Sequence, residues 1–305
     1  MKPAVEDDFG SPDLLSATRV AVAGLGLMGG SLAMALRGRC DTLLGVDPDP
    51  QAVRLAKQQG IVDRVSSDPA EILPQADLVI LAAPVSGILD LLGMMDALHP
   101  GAAVVMDLGS TKRQIMAAMG ALPERFDPLG GHPICGKEKA SLVYADPGLY
   151  QGASFVLSRL PRTSTRACVL ASQVVNAVGA HPVWLDPEAH DCWIASTSHL
   201  PYLLANALAQ AAPGESAWLV GPGFRSTARL AGGFAPMMLD VLQTNRDFVL
   251  SALQQFRGEL DRLEACLRQE GLDGLREFLV ESASKHALLV QDLPQAAAPA
   301  EPKGS

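Results

Sequence analysis

The run VAVAGLGLMGGSLAMAL, Val20 to Leu36, places Gly24, Gly26, Gly29 and Gly30 in an otherwise apolar stretch. Glycine in a helix interior costs about 1 kcal/mol relative to alanine, so glycines bunched after a strand-like run mark a backbone that turns sharply or approaches something closely. Gly24, Gly26 and Gly29 form GxGxxG between a predicted strand and the start of a predicted helix. In that setting the first glycine permits the tight turn, the second lets backbone approach a pyrophosphate, and the third lets helix pack on strand. The helix N-terminus adds N–H donors and partial positive charge. Leu25, Leu27 and Met28 complete this candidate cofactor loop. The next strand ends GVDPDP, putting Asp47 where a carboxylate accepts hydrogen bonds from an adenosine ribose and repels a ribose phosphate, which favours NAD over NADP. A glycine turn that only packs a strand on a helix is the alternative.

An anionic ligand needs such a local device, because the chain itself is acidic: 305 residues, net charge -9 and pI near 5.1. That balance argues against a surface built for nucleic acid or anionic lipid. At 48% hydrophobic and 19% charged residues, the length suits two packed domains. The acidic N-terminus lacks the apolar core of a signal peptide, and no stretch reaches the roughly 20 uncharged apolar residues of a membrane span. A soluble, cytoplasmic protein is expected. Cys40, Cys135, Cys168, Cys192 and Cys266 form no CxxC pair, which suits reduced thiols better than disulfides or zinc, and no metal site is expected.

Short apolar runs alternate with helix-like stretches up to about residue 186, the pattern of a parallel α/β sheet. The expected strands are RVAVAG from Arg19, TLLGV from Thr42, LVILAA from Leu78, AVVMDL from Ala103, SFVLS from Ser154 and PVWL from Pro182. Pro84, just after the third of these, joins the candidate cofactor contacts. QAVRLAKQQG reads as a helix stopped by Gly60. At DPEAHDCW the periodicity becomes helical, with Asp186 as N-cap and Pro187 in the first turn. The expected division is a Rossmann-type sheet domain over 17–186, an all-helical domain over 187–292 and a disordered tail over 293–305. From about Pro236 to Glu270 one helix is expected, with Val249, Leu253, Phe256, Leu260, Leu263 and Leu267 in a heptad-like stripe. The stripe is either that domain's core or a subunit interface.

Three segments carry the chemistry. VVMDLGSTK ends a strand, so Asp107, Ser110 and Thr111 emerge at the sheet's carboxyl edge, where ligands of such folds collect. PLGGHPICGKEKAS places His132 among glycines and a proline in an expected loop, which favours a catalytic or binding role over a structural one. GPGFRSTARLAGG sets Arg225 and Arg229 four apart, suited to a carboxylate clamp or to an ordinary solvated helix face. His199, in STSHLPYL, is equally a pocket residue or a satisfied core histidine.

In this order, GLGLMGGSLA, DLGSTK, GGHPICGKE, SHLPY and GFRSTARLAGG resemble the prephenate and arogenate dehydrogenases of tyrosine biosynthesis. The resemblance implies a dinucleotide domain joined to a helical domain that forms a homodimer, with the active site between them. It implies oxidative decarboxylation of a small-molecule substrate. His132 would accept the hydroxyl proton, with Ser110 orienting that histidine or the hydroxyl. Arg229 would clamp the ring carboxylate, and His199, Glu138 and Thr111 would line or gate the pocket. Ile134 and Cys135 depart from the family's usual methionine and alanine. No regulatory domain is expected after the helices. Prephenate is preferred over arogenate, since Asp47 favours NAD. A β-hydroxyacid or imine dehydrogenase would need a helical-domain lysine as its acid, and that domain has only Lys285, with Lys303 in the tail. A non-catalytic NAD-sensing protein is the other rival.

Overall fold

Residues 12–137, 139–233 and 235–290 are described in a computed structural model. The first part runs β1 (Arg19–Ala23), α1 (Leu27–Leu36), β2 (Thr42–Val46), α2 (Pro50–Gln58), β3 (Arg64–Ser66), α3 (Pro69–Ile72), β4 (Leu78–Leu81) and α4 (Val85–Leu98). It continues with β5 (Ala103–Asp107), α5 (Arg113–Gly120), β6 (Phe126–Pro133), β7 (Ser154–Arg159), α6 (Thr165–Ala177) and β8 (His181–Trp184). The strands form one eight-stranded sheet, ordered β3-β2-β1-β4-β5-β6-β7-β8. Successive side chains of a strand point to opposite faces, and here both faces are covered. Val20 and Val22 enter one apolar cluster, Ala21 and Ala23 the other.

The expected α/β sheet is present, with two differences. β7 runs antiparallel to β6, and β3 and β6 are additional strands. β6 contains His132, expected in a loop. Its glycines serve close approach rather than a turn: a Cβ at Gly130 would lie 2.5 Å from the Met116 sulfur, and one at Gly131 would lie 2.5 Å from the Asp107 carbonyl oxygen. Its prolines are tolerated because the strand changes partner midway. Pro128 lies where β6 pairs with β5 alone, and Pro133 where it pairs with β7 alone.

Chain order reverses between β1 and β4, so the crevice beyond their carboxyl ends is where a ligand of this architecture binds. The β6–β7 connection lies on α1: the Tyr150 hydroxyl donates to the Met28 carbonyl (2.7 Å), and the Asp146 N–H to the Ser31 hydroxyl (2.9 Å). That contact explains the fourth glycine of the opening run, since a Cβ at Gly30 would lie 2.3 Å from Leu142.

The second part opens as expected, with Asp186 accepting from the Glu188 and Ala189 N–H groups and Pro187 in the first turn of α7 (Pro187–Ile194). A π-helical turn, Ala195–His199, leads into α8 (Leu200–Ala211). Then come α9 (Pro222–Thr227), α10 (Ala235–Thr244), α11 (Arg246–Arg268) and α12 (Asp273–Val290). The single helix expected from Pro236 is thus broken at Asn245, whose side chain donates to the Asp191 carbonyl (2.7 Å). The stripe divides as well. Val249 is buried, while Leu260 and Leu267 are exposed on the protomer. The segment 293–305 lies outside the described residues.

Candidate active site

Beyond β1 the chain turns through Gly24 at φ +102°, where a Cβ would strike the Ala82 carbonyl oxygen at 2.6 Å. At Gly29 a Cβ would lie 1.9 Å from the Gly24 carbonyl oxygen. At Gly26 it would meet nothing within 4 Å. The loop is therefore packed tight beneath and open above its middle glycine, and these residues fit a dinucleotide pyrophosphate at the start of α1. Leu25 and Leu27 are buried and Met28 half-buried, so this loop offers a ligand its backbone. Asp47, at the end of β2, accepts from the Leu25 N–H (2.6 Å) and the Asp49 N–H (2.8 Å). Each carboxylate oxygen retains a second lone pair for a ribose hydroxyl. Pro84 caps α4 at the neighbouring strand end and is exposed.

His132 lies further along the same edge, and it faces the helical part. Its Nδ1 is 2.8 Å from His190 Nε2, with the rings edge to face. His190 Nδ1 is 2.7 Å from a carboxylate oxygen of Asp191. Asp191 also accepts the N–H groups of Lys112 (2.7 Å) and Arg113 (2.9 Å), which open α5. One carboxylate from α7 thus caps a helix of the sheet domain.

Arg113 crosses the seam to pair with Asp247 and stacks over Phe248 at 4.2 Å. Asp240 on α10 accepts the Ser86 N–H at the start of α4 (2.9 Å). Beneath His132, Asp107 accepts the Gly131 N–H (3.1 Å) and the Gly109 N–H (2.7 Å), and pairs with the fully buried Lys112. Burial lowers the Lys112 pKa and raises that of Asp107, against the pull of their pairing.

Burial, then His190, Lys112 and His199, holds His132 well below the ordinary histidine range, so the ring is neutral at physiological pH. His199 is likewise buried, which pushes it down to about 4. Its Nδ1 lies 3.3 Å from the Asn245 amide nitrogen. For Asp191, burial pushes upward, but the His190 hydrogen bond and the two α5 N–H groups outweigh it and leave the carboxyl below its usual range.

Residues nine apart on an α-helix stand about two and a half turns apart, on opposite sides. The π turn, with the Leu200 N–H bonded to the Ala195 carbonyl, slows that rotation, and His190 and His199 are both buried. Pro201 lacks the N–H for an ordinary α bond just beyond, where such a turn is well placed.

His132 and His199 are brought into one cluster. Ser110 is half-buried at the end of β5, but the observed partner of the His132 ring is His190. Thr111 is buried, and its hydroxyl is 2.9 Å from that of Thr244, so it ties the seam. Arg229 is exposed, on a turn (Arg229–Gly232) that packs on α8, and Arg225 is exposed near the end of α9. Glu138 lies outside the described residues. His190, Asp191 and Asn245 were not anticipated, and the only local signal is the His-Asp pair four residues after the Asp186 cap.

Residues 32–184 match the family model of the prephenate dehydrogenase nucleotide-binding domain, and residues 186–281 that of the prephenate dehydrogenase dimerization domain. Prephenate dehydrogenase of Bacillus subtilis is 30% identical over 272 residues, covering 85% of this chain and 72% of the relative. The crystal structure of prephenate dehydrogenase from A. aeolicus in complex with hydroxyphenyl propionate and NAD+ aligns with a TM-score of 0.82 at 28% identity. That alignment covers 90% of this chain and 99% of the other. Synechocystis arogenate dehydrogenase aligns at 0.79 and 28% identity, over 89% of this chain and 100% of its own. The chain belongs to the prephenate dehydrogenase family.

Proposed function

We propose, with that membership as the premise, that the chain is an NAD-dependent dehydrogenase that converts prephenate to 4-hydroxyphenylpyruvate by oxidative decarboxylation. The observation that carries the mechanism is a buried imidazole, His132, hydrogen-bonded to His190 at the carboxyl edge of a sheet whose glycine loop fits a dinucleotide. The backbone opening α1 holds the pyrophosphate, Asp47 takes the ribose, and Pro84 borders the same crevice. Bound there, NAD supplies a nicotinamide ring that accepts hydride.

His132 accepts the proton of the ring hydroxyl as hydride leaves the carbon bearing it, a transfer suited to a base that is unprotonated at neutral pH. Loss of carbon dioxide then makes the ring aromatic, and the proton on His132 returns to the phenolate oxygen. The substrate loses a hydride and carbon dioxide, with no net proton. Aromatisation makes the sequence effectively irreversible. Arg229 binds the ring carboxylate with two parallel donors. His199, Ser110 and Glu138 complete the pocket.

The same reading assigns cofactor binding to 17–186 and substrate binding and homodimer formation to 187–292, through the exposed apolar residues of α11 and α12. Five free cysteines and a net charge of -9 suit a cytoplasmic enzyme. The family supports this reading over the β-hydroxyacid and NAD-sensing alternatives.

Absorbance at 340 nm with prephenate and with arogenate, each with NAD and with NADP, tests substrate and cofactor together. Prephenate with NAD is expected to give the highest kcat/KM. His132→Asn, which keeps a polar side chain without a usable base, should lower kcat roughly 100-fold or more with little change in NAD affinity. Turnover near that of the wild type would sink the assignment of the base.

A further inference from the structure

We infer that His190, anchored by Asp191, is a positioning residue that sets the tautomer of His132, so that Nε2 of His132 is the atom left to act as base. This rests on the reading of His132 as the base and adds the device that makes one of its two nitrogens available. The hydrogen bonds of this chain run in one direction. Asp191, an ionised carboxylate, only accepts, and it already takes the Lys112 and Arg113 N–H groups. At 2.7 Å from it, His190 Nδ1 must therefore carry a hydrogen. With that ring unprotonated at its other nitrogen, His190 Nε2 is left with a lone pair. At 2.8 Å from this acceptor, His132 Nδ1 must be the protonated nitrogen of its own ring. Nε2 of His132 then has the lone pair, and no hydrogen bond within the described residues falls on it.

The relay also acts when the base becomes charged. A protonated His132 still donates through Nδ1 to His190, and the Asp191 carboxylate stabilises the pair through His190 without taking a proton. Both supporting residues belong to α7, whereas His132 belongs to β6. His190 reaches His132 only with the helical part seated on the sheet domain, so the tautomer is set across the domain seam.

Nitrogen-15 NMR of the histidine-labelled full chain tests this without a substrate. The expected wild-type spectrum has a pyrrole-type Nδ1 and a pyridine-type Nε2 for His132, assigned by its loss in His132→Asn. A protonated Nε2 overturns the inference, whatever any variant does. His190→Leu removes the acceptor, and the His132 signals should move toward the Nε2–H tautomer. With it kcat should fall roughly 100-fold while KM and the NAD dissociation constant stay within about threefold. His190→Gln restores a carbonyl acceptor and should recover kcat to within about tenfold of wild type. An unchanged tautomer in His190→Leu, or a glutamine variant as impaired as the leucine one, overturns the proposal. Expected tautomers in a protein that oxidises neither prephenate nor arogenate would refute the proposed function and leave the positioning role standing.

Discussion

The two parts of the molecule bury different chemistry. In the sheet domain β1, β4 and β5 are buried almost throughout, and apolar clusters lie on both faces. In the helical part the buried apolar cluster comprises Ala195, Leu200, Val249 and Ala252. His190, Asp191, His199, Thr244 and Asn245 are buried there too, and they are polar. Meanwhile Leu260, Leu267, Leu279 and Leu288 stand exposed on α11 and α12. The sheet domain is held by burial of apolar area, which is non-directional. The helical part is docked by directional hydrogen bonds, and these extend to the His132 ring. The requirement for a polar site and the requirement for a stable seam are met by the same side chains.

The contrast breaks first in the sheet. Ile80, fully buried in β4, should cost about 2–5 kcal/mol as Ile80→Ala, read as a shift in urea midpoint. A loss below 1 kcal/mol would mean that this core is no more demanding than the helical part.

Acid should act on the seam. The unfolded chain binds a proton at His199 below the ordinary value of about 6.5, whereas the native ring resists until about 4. Between those values the unfolded state holds more protons, so stability is full above pH 6.5 and falls as pH drops toward 4. His132 shifts in the same direction and adds to the loss. For His199 alone the loss is on the order of 3 kcal/mol. Urea midpoints measured from pH 7 to pH 4 should decline, and His199→Gln should flatten the curve. Coincident curves would show that His199 is not the group responsible.

The smallest effect is expected at Leu279. Leu279→Ala should change protomer stability by no more than about 0.5 kcal/mol, because the side chain is already exposed. Sedimentation then sharpens the comparison: a weakened dimer at micromolar concentration places the missing apolar burial of this part between subunits, and an unaltered one moves it elsewhere.

Much of the architecture was legible because its causes are local. Gly24 needs a positive φ, Asp186 caps the residues that follow it, Pro187 suits a first turn, and Asp47 ends a strand adjacent to the glycine loop. Each is a relation between residues near in sequence, or between neighbouring strands of a repeating pattern. β6 was not legible. Gly130 and Gly131 are required by Met116 and Asp107 on other elements, and a glycine needed for close approach looks the same in a sequence as one needed for a turn. Asn245 likewise breaks a helix of good periodicity because of a bond to Asp191, 54 positions away.

By itself the sequence determined the alternating βα order, the glycine loop with Asp47 beside it, the start of the helical part and the nomination of His132. These depend on dihedral preference, capping and apolar periodicity, which act within a few residues. Only the tertiary structure decided what the His132 ring is bonded to, because that follows from a hydrogen-bond chain spanning β6, α7 and the start of α5. No residue of that chain declares its partner in advance, and the direction of each bond is set by the carboxylate at its far end.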